Sequence, residues 1–78
     1  MKMNPHTFAA LSDACTGMLG QRPDAARTYR EAGLSPKRFR WDLLSATDFP
    51  VGTLYREGLN DDHIDTALRR ITGTKAEW

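Results

Sequence analysis

Residues 29–44 read Tyr-Arg-Glu-Ala-Gly-Leu-Ser-Pro-Lys-Arg-Phe-Arg-Trp-Asp-Leu-Leu, and this segment predicts two helices joined by a tight turn. Gly33 is expected to end the first helix, because glycine accepts the left-handed conformation that commonly follows a helix C-terminus. Ser35 and Pro36 predict the start of the second helix, since serine caps a helix N-terminus and proline fits its first turn. The second helix then opens with three cations, which are Lys37, Arg38 and Arg40.

The segments before and after this turn show the spacing of short amphipathic helices. Asn4 and Pro5 predict the start of a first helix, whose apolar residues recur every three or four positions until Gly20, where we expect it to end. Residues 23–32 predict a second helix with a narrow face of small residues. The third helix is predicted over residues 36–46 and stops shortly before a proline, since the residue that precedes proline avoids the helical conformation.

Two more helices are predicted in the last third of the chain. Residues 51–59 fit a short helix, although two glycines in this segment weaken it. Asn60 predicts the cap of a final helix that Gly73 stops, and Asp65 can pair with Arg69 one turn later. No segment alternates between apolar and polar residues as a strand would. The fold class is therefore all-α, a compact bundle of four to five short helices.

Length and composition favour one small domain with a thin hydrophobic core. The 78 residues are assigned to a single helical domain, residues 1–78, with frayed ends at residues 1–3 and 74–78. The single cysteine, Cys15, cannot form an internal disulfide, which suits a reducing compartment, and we expect a cytoplasmic protein without a membrane segment. A core this small leaves a homodimer open, with Cys15 either buried or in an intermolecular disulfide.

The charges are segregated along the chain although the net charge is only +1. Residues 22–40 carry six cations against two carboxylates, whereas residues 42–65 carry six carboxylates against one cation. Such a chain can present two faces of opposite sign, or two ordinary solvated helix faces that differ in charge. The small net charge argues against a nucleic-acid binder that relies mainly on electrostatics.

No pattern typical of an enzyme is found, and we expect neither a cofactor nor a bound metal. Cys15 lies on an apolar helical stripe, where a small core residue is the simpler interpretation. Residues 60–65 form a polar cluster of metal-ligand types, but Asp61 and Asp65 share one helix face while His63 points elsewhere. Capping and solubility explain this cluster without a ligand.

Two sets of residues are candidates for partner binding. Lys and Arg bind phosphates and an aromatic ring can stack on bases, which makes the start of the third helix a candidate nucleic-acid-binding site if Phe39 faces inward. A carboxylate-rich surface on the last two helices is instead suited to a basic groove on another protein. The nucleic-acid candidates are Lys37, Arg38, Arg40 and Trp41, and the protein-binding candidates are Asp48, Glu57, Asp61, Asp62 and Asp65.

The apolar side chains of the fourth helix, together with Trp41 of the third, allow two interpretations as well. Trp41, Leu54, Tyr55 and Leu59 provide more apolar surface than a short helix needs for its own packing. Aromatic residues are favoured at the centres of interfaces, so some of this surface could face a dimer partner or another protein. Core packing is the interpretation that we place first, because a thin core needs its aromatic residues.

Residues 32–39, Ala-Gly-Leu-Ser-Pro-Lys-Arg-Phe, resemble the turn and the start of the recognition helix in AraC-type transcription regulators. In that family a Gly-Leu-Ser-Pro-x-x-Phe run joins two helices, and the second enters the major groove of DNA. The resemblance implies that Lys37, Arg38 and Arg40 face bases or phosphates and that Phe39 packs inside the motif. The chain departs from the family at Tyr29, where such motifs carry a small residue.

The chain as a whole also resembles the small helical proteins that phages and other mobile elements encode, in its size and its lack of catalytic residues. These proteins include repressors and inhibitors of host nucleic-acid machinery such as anti-CRISPR proteins. The resemblance implies a non-enzymatic regulatory protein that docks on a protein partner. The alternative is a helix-turn-helix DNA-binding regulator that uses residues 29–44.

Overall fold

A computed structural model describes residues 3–73, and this part of the chain folds into five helices without a strand. The helices are α1 (Pro5–Gln21), α2 (Ala25–Glu31), α3 (Pro36–Ala46), α4 (Gly52–Arg56) and α5 (Asp61–Thr72). The predicted all-α bundle is thereby confirmed. The frayed ends proposed for residues 1–2 and 74–78 lie outside the described residues, whereas Met3 is half-buried and packs on the core.

Three of the helices begin at side-chain caps that the sequence predicts. The Asn4 side chain accepts a hydrogen bond from the backbone N–H of His6 at 2.8 Å, and Pro5 follows it at the first position of α1. Ser35 caps α3 in the same way, accepting from the N–H of Arg38 at 3.1 Å. These caps satisfy donors that would otherwise lack partners at a helix start.

The cap of α5 is reciprocal. The side chain of Asn60 accepts from the N–H of His63 at 2.9 Å, while Nδ1 of His63 accepts from the N–H of Asn60 at 3.2 Å. A histidine therefore has the role that glutamate or glutamine usually has in a capping box. This arrangement fixes the His63 ring at the start of α5.

Glycines with positive φ close the two sharpest turns. Gly33 has φ +77°, the N–H of Leu34 bonds to the carbonyl of Tyr29, and the N–H of Gly33 bonds to the carbonyl of Arg30. This pair of hydrogen bonds is a Schellman motif, which uses carbonyls that the end of α2 leaves free. Gly58, with φ +85°, closes α4 in the same way. The Gly58 turn is followed directly by Leu59, which is buried in the core.

The core lies between α1, α3 and α5, each of which contacts the other two. The short α2 packs on α3 and contributes no fully buried residue. The buried apolar side chains are Leu11, Cys15, Leu19, Phe39, Leu43, Leu44, Leu54, Leu59, Ile64, Ala67 and Leu68. The prediction that Phe39 faces inward is thus correct, and Cys15 is a core residue, as its place on the apolar stripe of α1 suggested.

Some predicted boundaries were wrong by a few residues. α1 passes through Gly20 and ends at Gln21, because the N–H of Arg22 finds acceptors on Met18 and Leu19 and extends the last turn. α4 has only five residues, since Gly58 turns the chain before the expected end at Leu59. Within residues 3–73, none of the helices combines the length and the apolar character needed to cross a membrane.

Candidate functional site

Arg40, one of the predicted nucleic-acid contacts, lies inside the protein. Only 2% of its surface is exposed, and its Nε and Nη2 donate to the two carboxylate oxygens of Asp65 at 2.9 and 3.0 Å. The expectation that Arg40 faces outward is wrong, because α3 turns this position towards α5, which supplies the carboxylate. Arg40 joins two helices, and it cannot reach a nucleic acid while this pair is intact.

The same pair accounts for Asp65, one of the predicted protein contacts. Hydrogen bonds from Arg40 hold the pKa of Asp65 below its ordinary value of 3.8, with smaller contributions from the charges of Lys37 and Arg69. A paired, largely buried carboxylate offers little to a partner. The sequence indicated that Asp65 can pair with Arg69 on its own helix; in the structure the charge of Arg69 contributes to the lowered pKa of Asp65, and Arg40 on α3 supplies the direct ion pair.

Arg38, two positions before Arg40, is exposed and belongs to a small network on the surface. Its Nε donates to Asp42 Oδ2 at 3.1 Å, and the hydroxyl of Tyr29 donates to the same oxygen at 2.7 Å. The hydrogen bond from Tyr29, together with Arg38, lowers the pKa of Asp42, and the same bond raises the pKa of Tyr29. The network places a carboxylate among the cations at the start of α3.

Tyr29 also explains how α2 and α3 fit together at a position where the AraC-type motif has a small residue. Its ring meets Phe39 edge-to-face, with 5.3 Å between ring centroids. The tyrosine thus fills the space between the two helices, and its hydroxyl reaches Asp42 at the surface.

The other two predicted nucleic-acid contacts differ in exposure. Lys37 is exposed, whereas Trp41 is half-buried against the core. The indole Nε1 of Trp41 is buried and has no hydrogen-bond acceptor among residues 3–73.

The predicted acidic residues divide into exposed and internal ones. Asp48, Asp61 and Asp62 are exposed. Glu57 is half-buried and accepts a hydrogen bond from the hydroxyl of Thr7 at 3.1 Å, which ties the end of α4 to α1. The structure therefore leaves three of the five predicted carboxylates open to a partner, and it does not bring all five into one patch.

A shallow groove of about 420 Å³ lies where α4 meets α5, and its surface contains Tyr55, Asn60, Asp61 and Asp62, with Leu59 as its floor. We call this the Tyr55 surface. Tyr55 is 46% exposed and is the large apolar residue that stays open to solvent within residues 3–73. Its hydroxyl donates to Asp61 Oδ1 at 2.7 Å, and this bond raises the pKa of Tyr55. Leu54 and Leu59, which share its apolar segment, are buried as core packing predicts.

A second and larger groove of about 490 Å³ lies between the start of α1 and the outer face of α5. Met3, Phe8, Leu59 and Ala67 supply apolar walls, and His63 and Arg70 stand beside them. The guanidinium of Arg70 lies 5.2 Å above the centre of the Phe8 ring. We call this the Phe8 groove. Sequence reasoning missed it, because residues about sixty positions apart form it and no local pattern links them.

Residues 3–73 contain no cluster of three side chains suited to a metal, and their one cysteine is buried. No three His, Cys, Asp or Glu side chains within residues 3–73 converge as ligands would. Burial raises the pKa of Cys15 to about 11, so its thiol stays protonated near neutral pH. Both grooves are lined by groups that can bind through hydrogen bonds, charge and apolar contact.

Comparison with models of protein families, with curated proteins and with solved structures finds no match to this chain.

Proposed function

We propose that the chain is a non-enzymatic regulatory protein that binds a protein partner through the Tyr55 surface. The partner would present a basic surface, such as the nucleic-acid-binding groove of a host complex. The observation that carries the proposal is the exposure of Tyr55 beside two exposed carboxylates, Asp61 and Asp62.

An exposed tyrosine that is already fixed in place is well suited to an interface. Tyrosine is among the residues whose loss most often weakens protein–protein binding, and a side chain with few rotatable bonds loses little entropy on contact. The hydrogen bond to Asp61 orients the ring, and the Gly58 turn sets α4 against α5. A partner would therefore meet an anchor that needs little rearrangement.

The charges around Tyr55 specify a basic partner. Asp61 and Asp62 are exposed, and the ring face of Tyr55 can accept an arginine or a lysine by a cation–π contact. Complementary charge raises association rates and disfavours partners of the wrong sign. A surface of this kind can occupy sites that otherwise hold phosphates, which is how an inhibitor of the anti-CRISPR type encoded by a phage or mobile element would act.

DNA binding through the start of α3 is the second candidate, and one observation favours it. Lys37 and Arg38 are exposed immediately after the turn between α2 and α3, where a recognition helix would begin. Two observations argue against DNA binding through α3. Arg40 is used inside the protein, and Asp42 brings a negative charge next to Arg38. Phosphate contacts would depend on fewer cations than the sequence suggested.

The test is a pair of fluorescence anisotropy titrations of the full chain, one with a labelled peptide of alternating Arg and Gly and one with a labelled DNA duplex. Each is run at low and at near-physiological salt. We expect the peptide to bind, and we expect Asp62→Lys and Tyr55→Ala each to weaken binding about tenfold or more. Asp13→Lys, an equal charge change at an exposed position of α1, is the matched control.

The outcomes separate the two candidates. If Asp62→Lys and Asp13→Lys bind the peptide equally well, charge near Tyr55 has no special role and the proposal is wrong. If the chain instead binds DNA with steep salt dependence, and Lys37→Ala with Arg38→Ala abolishes that binding, the DNA-binding candidate replaces it. Thermal unfolding of each variant is measured alongside, because Asp62 also stabilises the first turn of α5.

A further inference from the structure

The Phe8 groove has the dimensions of a small-molecule site and adjoins the Tyr55 surface at Leu59, which lines both. Its volume of about 490 Å³ falls in the range of roughly 300–1,000 Å³ found for ligand pockets. Phe8 and Met3 remain half-buried, so part of their apolar surface is available to another molecule. The walls would accept an aromatic or aliphatic body.

Arg70 gives one end of this groove a positive charge. The centre of its guanidinium lies 5.2 Å from the centre of the Phe8 ring in a cation–π contact, and within residues 3–73 no carboxylate lies within ion-pair distance of it. Arg40 and Arg38, by contrast, are both paired with an aspartate. Because a guanidinium has five N–H donors and a contact with a ring face leaves most of them free, Arg70 can still bind a planar anion with two parallel bonds.

His63 adds a second donor. Its Nδ1 accepts from the N–H of Asn60, so the neutral ring carries its proton on Nε2. The charged or ionisable side chains that line the groove within residues 3–73 are this histidine and Arg70, and no carboxylate is among them. The groove therefore combines apolar walls with hydrogen-bond donors, and it lacks a negative charge that would repel an anion.

We infer that the Phe8 groove binds a small amphipathic carboxylate, with its apolar body against Phe8, Met3 and Ala67 and its carboxylate on Arg70. A carboxylate fits because a guanidinium and an imidazole N–H are both donors that prefer an anionic acceptor. A neutral apolar ligand would leave these donors without a partner, which costs affinity. This inference does not depend on the function proposed for the Tyr55 surface.

The test uses 2-naphthoate as the probe and 2-naphthamide as its neutral counterpart of nearly equal shape. Each is titrated into the full chain labelled with ¹⁵N and followed by NMR. We expect saturable shifts for naphthoate centred on Phe8, Ala67 and Arg70, and binding of naphthamide that is weaker by about tenfold or more. Arg70→Gln should remove this preference, while Arg30→Gln, an equal charge change on α2, should keep it.

A second variant separates loss of the site from loss of the fold. Thr66 is exposed at the edge of the groove, and Thr66→Tyr would narrow the groove while Arg70 stays in place. We expect Thr66→Tyr to weaken naphthoate binding and to retain a dispersed spectrum. Equal affinity for naphthoate and naphthamide, shifts scattered over the surface, or equal effects of Arg70→Gln and Arg30→Gln would each overturn the inference. Asp62→Lys should leave naphthoate binding intact even if it abolishes binding of the basic peptide.

Discussion

Arg38 and Arg40 stand two positions apart on α3 and have opposite surroundings. Arg38 has 61% of its side chain exposed and shares Asp42 with a tyrosine, whereas Arg40 has 3% exposed and closes a two-point contact with Asp65. A helix turns about 100° per residue, so positions two apart lie on nearly opposite faces. Residue type alone therefore does not identify a binding residue, because one arginine of this helix is at the surface and the other stabilises the interior of the fold.

The largest loss of stability is expected from Arg40→Ala. This change leaves the Asp65 carboxylate without its partner in a mostly buried site, and breaking buried pairs of this kind costs about 3–5 kcal/mol. Because native domains have only about 5–15 kcal/mol of stability, this loss should shift the midpoint of urea unfolding to a much lower concentration. Urea unfolding followed by circular dichroism measures the loss.

A double variant tests whether the cost comes from the isolated charge. Arg40→Met with Asp65→Leu removes both charges and keeps apolar volume, so it should be more stable than Arg40→Ala. If Arg40→Ala lowered the free energy of unfolding no more than Arg38→Ala does, the difference in burial between the two arginines would make no difference to stability.

The second effect concerns acid stability. The folded protein holds the pKa of Asp65 below 3.8, so the stabilisation from this group is complete above about pH 5, where the unfolded carboxyl is also ionised, and is lost as the pH falls through the lowered value. Asp65→Asn should therefore flatten the decline of stability between about pH 5 and the folded-state pKa of Asp65. The midpoint of urea unfolding, measured at a series of acidic pH values for the wild type and the variant, checks this expectation. An unchanged acid slope would show that other carboxyls control acid unfolding.

A smaller effect is expected for Tyr29→Phe. The ring and its edge-to-face contact with Phe39 are kept, while the hydrogen bond to Asp42 is lost, so we expect a small loss of stability because solvent can replace an exposed partner. The pKa of Asp42 should rise towards its ordinary value, because the hydrogen bond from Tyr29 is the main cause of its decrease. Titration of the Asp42 carboxyl by NMR tests this directly. A constant pKa in the variant would assign the decrease to Arg38 instead.

The smallest loss of stability is expected for Arg38→Ala. The ion pair with Asp42 is exposed, and such pairs contribute about 0–1 kcal/mol. High salt should reduce even this contribution, since exposed charges are screened. Thermal unfolding at low and high salt makes the measurement. A loss comparable to that of Arg40→Ala would contradict the distinction between the two faces of α3.

The elements of the fold were predictable because their signals are local. Ser35 and Pro36, Gly33, and Asn60 each act within a few residues, and the structure uses all of them as caps or turns. The prediction that α1 ends at Gly20 was wrong, because a glycine in the last turn does not end a helix when the following N–H groups still find acceptors, as that of Arg22 does here. Helix ends depend on such single hydrogen bonds.

The candidate sites were less predictable because they depend on contacts between distant parts of the chain. Nothing near Arg40 in the sequence indicates that Asp65 will meet it, since the pair joins α3 to α5 across 25 positions. The Phe8 groove has the same origin, because α1 and α5 form it together. Tyr55 is exposed whereas Leu54, the residue before it on the same short helix, is fully buried, and this difference depends on how α4 packs against the rest of the fold.

Because Cys15 is buried, the reactivity of its thiol can be used to measure how often the helical bundle opens. The thiol is fully enclosed among core side chains, and its raised pKa leaves almost no thiolate at neutral pH. A thiol-specific reagent can therefore react only when the helices separate, so the rate of labelling follows the population of opened molecules when closing is fast. A disulfide between two copies would require the same opening, and oxidative cross-linking would record transient unfolding of α1.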